Sequence, residues 1–233
     1  MQTTNTSSQI NANDVIRFLC WSVIVGMTFY FISSHIIRYS NKGLPLTFGN
    51  TLLNKKLFFF GHIAGGSLAI ILGPLQFWKT FRTKYIRFHR TAGMLYILGS
   101  LLAIFCLVRI LPESECLPCR PSQITVTTLW FICTVAAWWT IKRRNIKAHR
   151  QFMARSYLFA FYFVEVRILD QLGENIFSSI TKNSSWYANT DWLAWIIPLL
   201  ILEIYQTWWP SLNLKTFNKK NVREIHNQQL KQL

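Results

Sequence analysis

Acidic side chains are scarce in this chain, with 9 Asp and Glu set against 25 Lys and Arg. Also missing are a Walker loop, a Gly-x-Gly-x-x-Gly turn, a His-Glu-x-x-His pair and a Gly-x-Ser-x-Gly elbow, which removes the sequence basis for ATP-driven chemistry or a familiar hydrolase. No Gly/Ser linker, block of like charge or low-complexity tract divides the chain, so residues 1–233 read as one integral membrane domain. The largest deficit is polar cover. Hydrophobic residues make up 51% and aromatics 15%, more than a soluble domain of this length can keep from water.

What fills the chain instead is long apolar runs. A helix needs roughly 18 to 20 apolar residues to cross a hydrocarbon core about 30 Å thick, and such windows lie at 18–37, 57–78, 93–111, 124–141, 154–172 and 192–209. They predict an all-α polytopic membrane protein, six transmembrane helices in one bundle. The first window is too long for the apolar region of a signal peptide and residues 1–14 carry no Lys or Arg, so it is expected to remain as a helix.

Charge then orients the bundle. One set of loops collects Lys79, Arg82, Lys84, Arg87, Arg90, Lys142, Arg143, Arg144, Lys147 and Arg150, and the tail adds Lys215, Lys219, Lys220, Arg223 and Lys231. The opposite side has only Arg38, Lys42, Lys55, Lys56, Arg120 and Lys182. The positive-inside rule puts the first set and both termini in the cytoplasm, with the chain in the cell (inner) membrane. Nucleic-acid binding is the rival account of a net charge of +16. It is set aside because the basic clusters sit at helix ends, where orientation explains them and where anionic lipid headgroups are the expected partner.

Two marks stand out within this pattern, His89-Arg90 and His149-Arg150, each closing a basic cluster and opening an apolar stretch. Neutral imidazoles from different helices can clamp haem iron inside a bundle, which makes His89 and His149 candidate inner ligands of haem b. His62 and His35 fall near the outer face and could form a second redox site. The equal alternative is that both His-Arg pairs are interfacial anchors. On the next span His62, Gly65, Gly66, Ala69, Gly73 and Gln76 share a face, either seating a flat macrocycle or, as is commoner, packing a helix. Tyr96 shares a face with His89; Met153, Ser156, Ala160 and Arg167 share one with His149. Arg167 could meet a cofactor propionate, or pair with Glu165 or Glu203.

Glu165, Glu203, Arg109 and Arg167 are the charges a bilayer penalises most, and they are expected to pair, to snorkel, or to mark a solute or proton route. Cys116 and Cys119 lie in an outer loop and are expected to form a simple disulfide, with a redox relay as the lesser option. Zinc is not expected there, because no second Cys or His pair accompanies them. Cys20, Cys106 and Cys133 fall within spans as packing residues.

The ordered motifs His62-Ile63-Ala64-Gly65-Gly66, Gly73-Pro74-Leu75-Gln76-Phe77-Trp78, His89-Arg90-Thr91-Ala92-Gly93-Met94-Leu95-Tyr96 and His149-Arg150-Gln151-Phe152-Met153-Ala154-Arg155-Ser156-Tyr157 resemble an uncharacterised family of bacterial multi-pass membrane proteins, the domain-of-unknown-function family 2306. The resemblance runs over about 57–167 and implies a membrane protein of unassigned activity. More loosely, the chain is similar to two-haem transmembrane cytochromes of the b561 and ferric-reductase kind. That likeness implies haem b on His89 and His149, with electrons passing from a quinone or cytoplasmic donor to an outer acceptor. The chain departs from it in the fourth span, which has no histidine to join His62 and leaves His35 as the substitute. A small transporter using Glu165, Arg167 and Glu203, or a non-catalytic scaffold, is the competing expectation.

Overall fold

The computed structural model describes residues 12–42, 53–113, 116–176 and 184–212. The tail lysines and arginine and the side chains of His35 and Cys20 lie outside the described residues. Seven α-helices follow one another: α1 Ala12–Lys42, α2 Leu53–Phe77, α3 Lys79–Lys84, α4 Ile86–Ile110, α5 Arg120–Lys142, α6 Ile146–Ile176 and α7 Ser184–Glu203. No strand occurs among the described residues. Each apolar window falls on one of the six long helices, and the sequence pattern did not foresee α3, which is built almost wholly from the first basic cluster.

Three stretches, Leu57–Phe77, Ile86–Ile110 and Leu117–Lys142, are long and apolar enough to cross a membrane. The apolar part of α1, Trp21–Ser34, is shorter. α6 is long but carries Arg155, Ser156, Glu165 and Arg167 in its length. It can do so because it is the central helix, packed against α5, α7, α2 and α1, and its residues Phe159 to Tyr162 are all buried.

The bundle is two antiparallel hairpins, α2 with α4 and α5 with α6, with α7 laid against α6 and α5. The first hairpin is joined through glycine. A side chain at Gly65 would run into the backbone of Gly99 and Ala103, and one at Gly99 would meet the Gly65 carbonyl and Leu68. Only hydrogen at these positions lets α2 and α4 approach so closely. The ring of Tyr157 covers Gly73 in the same way, and the Gln76 amide lies over Gly93. The small-residue stripe of α2 is therefore a packing surface, as the commoner of its two sequence readings had it.

Polarity is inverted relative to a soluble protein. Ser100, Ser122, Thr134 and Ser156 are wholly buried, while Phe29, Phe105, Ile201 and Leu68 face outward. In water this arrangement would expose large apolar surface; in lipid it satisfies hydroxyls inside the bundle and leaves hydrocarbon outside. Trp78, Trp138, Trp139, Trp208 and Trp209 are exposed near helix ends, where interfacial belts form. Lys142 and Arg143 lie over the Trp138 and Trp139 rings at 5.7 and 5.2 Å.

Candidate functional site

Both His-Arg marks sit inside helices rather than before them. α4 and α6 begin at Ile86 and Ile146, several residues earlier than the apolar windows, so His89 and His149 occupy the first turns of two neighbouring hairpins. The two turns come together: His149, Arg82 and Arg90 all lie within electrostatic reach of His89. Arg150 in turn faces Arg82, whose guanidinium is pushed below its ordinary range by burial first and by Arg150 second. This end of the bundle thus gathers two imidazoles among three guanidiniums.

The His149 ring is fixed. Its Nδ1 lies 2.8 Å from the Ala137 carbonyl oxygen on α5, and because that oxygen only accepts, Nδ1 carries the proton. Nε2 makes no hydrogen bond among the described residues. Buried Nδ1 of His89 has no hydrogen-bond partner. His62 repeats the His149 arrangement at the other end of the bundle, its Nδ1 donating to the Ala103 carbonyl of α4 at 3.1 Å, with the ring edge-on to Phe163 at 5.6 Å between centroids. Ala103 is fourteen residues beyond His89 on α4, which separates the two ends by about 21 Å.

Between them lies a buried hydroxyl cluster. The Tyr96 hydroxyl and Ser156 Oγ are 2.8 Å apart, and so are Ser156 Oγ and Thr134 Oγ1. Thr134 gives its own proton to the Trp130 carbonyl at 2.8 Å. Ser156 therefore donates to Thr134 and Tyr96 to Ser156. Ser156, on the His149 face, is the centre of this cluster, and Tyr96, on the His89 face, is bonded to it from α4.

The intramembrane charges are dispersed. Glu203 pairs with Arg155, by Nε to Oε1 at 2.5 Å and Nη2 to Oε2 at 2.9 Å, and Thr207 adds a hydroxyl to Oε2 at 2.9 Å. Thr207 stands four residues on from Glu203, the spacing that brings two side chains together on a helix. Arg155, not Arg167, is thus the partner of Glu203. Arg155 stood in plain view in the His149 motif, but nothing in the local spacing links it to a residue 48 positions away. Arg167 is exposed, Glu165 half-buried, and Arg109 lies over the Phe58 ring at 5.6 Å near the end of α4. Asp191, missed by the sequence reading, is almost fully buried on α7 against Tyr162 and Ser122. Cys116 and Cys119 are joined as a disulfide, and Cys106 and Cys133 are buried free thiols. Among the described residues no group of three or more His, Cys, Asp or Glu is placed to hold a metal ion.

A helical bundle with hydroxyls inside, hydrocarbon outside and cationic helix ends is a multi-pass membrane protein. The chain belongs to the family described as predicted membrane protein DUF2306, whose model matches residues 59–206. That match takes in all the quoted motifs and extends through the Arg155–Glu203 pair. No curated protein and no solved structure matches the chain, and the looser likeness to two-haem cytochromes gains no support.

Proposed function

We propose that the protein is a six-span redox carrier of the cell membrane that holds one haem b between His89 and His149 at its cytoplasmic end. The observation that carries this reading is the pair of imidazoles on adjacent hairpins: His149 has its Nδ1 proton tied to a backbone carbonyl and its Nε2 unshared, and His89 has a buried nitrogen with no partner. A ligating histidine donates its other ring N–H in this way, which fixes the tautomer and raises the basicity of the ligand nitrogen. The neighbouring Arg82, Arg90 and Arg150 have no carboxylate among the charges acting on Arg82 and His89, and would meet the carboxylates of a porphyrin edge. When bound, haem supplies a one-electron carrier; a quinone or cytoplasmic donor and an outer acceptor complete the flow.

Only one such site is supported. At the His62 end the close contacts of Gly65 with Gly99 and Ala103 shut the seam between α2 and α4 to a macrocycle. The test is the absorbance spectrum of protein purified after haem-replete expression. A Soret band lost in His89→Ala and in His149→Ala, and kept in His62→Ala, is the expected result. A colourless wild type would end the proposal.

Transport through Glu165, Arg167 and Glu203 is the weaker reading, because Glu203 is already engaged by both arms of Arg155 and Arg167 is exposed.

A further inference from the structure

One face of α4 carries His89, Gly93, Tyr96, Ser100 and Ala103, at successive intervals of four, three, four and three residues, the repeat that keeps side chains in line along a helix. Four of these five positions meet a polar group from another helix. Arg82 and His149 act on His89; the Gln76 amide covers Gly93; Ser156 bonds Tyr96; the Ala103 carbonyl takes the His62 proton. Around Tyr96 the donors converge on one oxygen. Its own proton goes to Ser156, and Ser100 and Trp130 turn their polar atoms toward it, yet neither Ser100 Oγ nor Trp130 Nε1 completes a hydrogen bond.

The same seam holds two more orphans, Gln76 Nε2 and the Tyr157 hydroxyl, and all four belong to residues more than nine-tenths buried. A buried polar atom without a partner bears the full cost of leaving water, so four of them in one seam argue against dry packing. Internal water is the usual remedy for such groups. Past His62, the Arg167 charge acts on both His62 and Asp191, and Asp191 lies buried beside Tyr162 and Ser122. The seam therefore runs from imidazoles at one end of the bundle to an imidazole and a buried carboxyl near the other.

We propose that this seam is a proton route: the hydroxyls of Tyr96, Ser156 and Ser100, joined by internal water, carry protons between the His89–His149 end and the His62–Asp191 end. Each of these three hydroxyls accepts a proton on a lone pair and, as it turns, releases its own to the next water or hydroxyl, while Thr134, its proton held by the Trp130 carbonyl, only orients Ser156; the step conserves protons and needs no oxidant or reductant. Gln76, Tyr157 and Trp130 hold the waters. The route stands on the hydroxyl seam and not on haem.

Full-length protein in liposomes, with a pH-sensitive dye inside and a potassium diffusion potential across the bilayer, tests it. The expected result is proton entry faster than in protein-free vesicles, in haem-free and haem-loaded samples alike. Tyr96→Phe and Ser156→Ala should each slow entry by about tenfold, the effect of one lost hydrogen bond in the path. Thr128→Val, at an exposed position on α5, should leave entry unchanged. Wild-type vesicles no leakier than empty ones would overturn the proposal, as would a folded Tyr96→Phe, judged by circular dichroism and elution volume, that conducts like wild type.

Discussion

Single residues separate the positions that hold the bundle together from those that only line it. Gly65 and Gly66 are neighbours with opposite surroundings: a Cβ at the first meets the backbone of α4, and a Cβ at the second meets nothing within 4 Å. Backbone cannot move aside as a side-chain tip can, so Gly65→Ala forces α2 and α4 apart, at a cost of about 1–3 kcal/mol. Gly66→Ala, in open helix, should stabilise by about 0.5–1 kcal/mol. Thermal unfolding in detergent checks the pair, with Tm falling for the first and holding or rising for the second. A similar contrast tests Arg155 and Glu203. Replacing Glu203 by Gln removes a charge-assisted, two-armed contact, and should lower stability by about 1.5–3 kcal/mol. Exchanging both partners, Arg155→Met with Glu203→Leu, should recover most of that loss, since no charge is then left without its partner.

At the scale of helices, the turn between α5 and α6 shows charge overriding backbone preference. Arg144 has φ of 59°, the left-handed region that favours glycine. Its N–H bonds the Ile141 carbonyl at 3.0 Å and the Asn145 N–H bonds the Thr140 carbonyl at 2.9 Å, closing α5 with a Schellman motif. Asn145 then caps α6, its Oδ1 accepting from the Ala148 N–H at 3.1 Å. Glycine would fit the left-handed site without strain, so Arg144→Gly should raise stability by about 1 kcal/mol. Unfolding of the detergent-solubilised variant measures this directly. These same elements show how far a sequence can be read. The six long helices were legible because an apolar run marks each, three of those runs being long enough to cross a membrane. α3 was not, because Lys79 to Lys84 has no apolar period. The early starts of α4 and α6 were hidden because apolar content marks where lipid begins and says little of where hydrogen bonding begins. Of the candidate site, the histidines and the helical face joining His89 to Tyr96 could be seen in one dimension. The Tyr96–Ser156 bond spans 60 positions and Thr134–Ser156 spans 22, and only packing α4, α5 and α6 together reveals them.

The whole molecule has a polarity along the bundle axis as well as between its inside and outside. The end holding Arg82, Arg90 and Arg150 also holds the exposed basic turn Arg143–Arg144 and the α3 lysines. The other end closes α4 with Arg109 alone in its last turn and carries the Cys116–Cys119 disulfide. Loops dense in Lys and Arg stay in the cytoplasm during insertion, and disulfides persist on the oxidising side of a membrane. The two signals are chemically independent, and both lead to the expectation of a cytoplasmic basic end. The disulfide loop should then be reachable from outside intact cells. Because Cys106 and Cys133 are buried, a Cys20→Ser background leaves Cys116 and Cys119 as the reactive pair once reduced. An impermeant phosphine followed by an impermeant maleimide should label this protein in intact cells, and Cys116→Ser/Cys119→Ser should abolish the label. Lys147→Cys in that doubly substituted chain places a thiol on the exposed basic turn, and it should label only after lysis. The reverse pattern would place the imidazole pair on the outer face, and with it the donor side of any electron or proton flow through the seam.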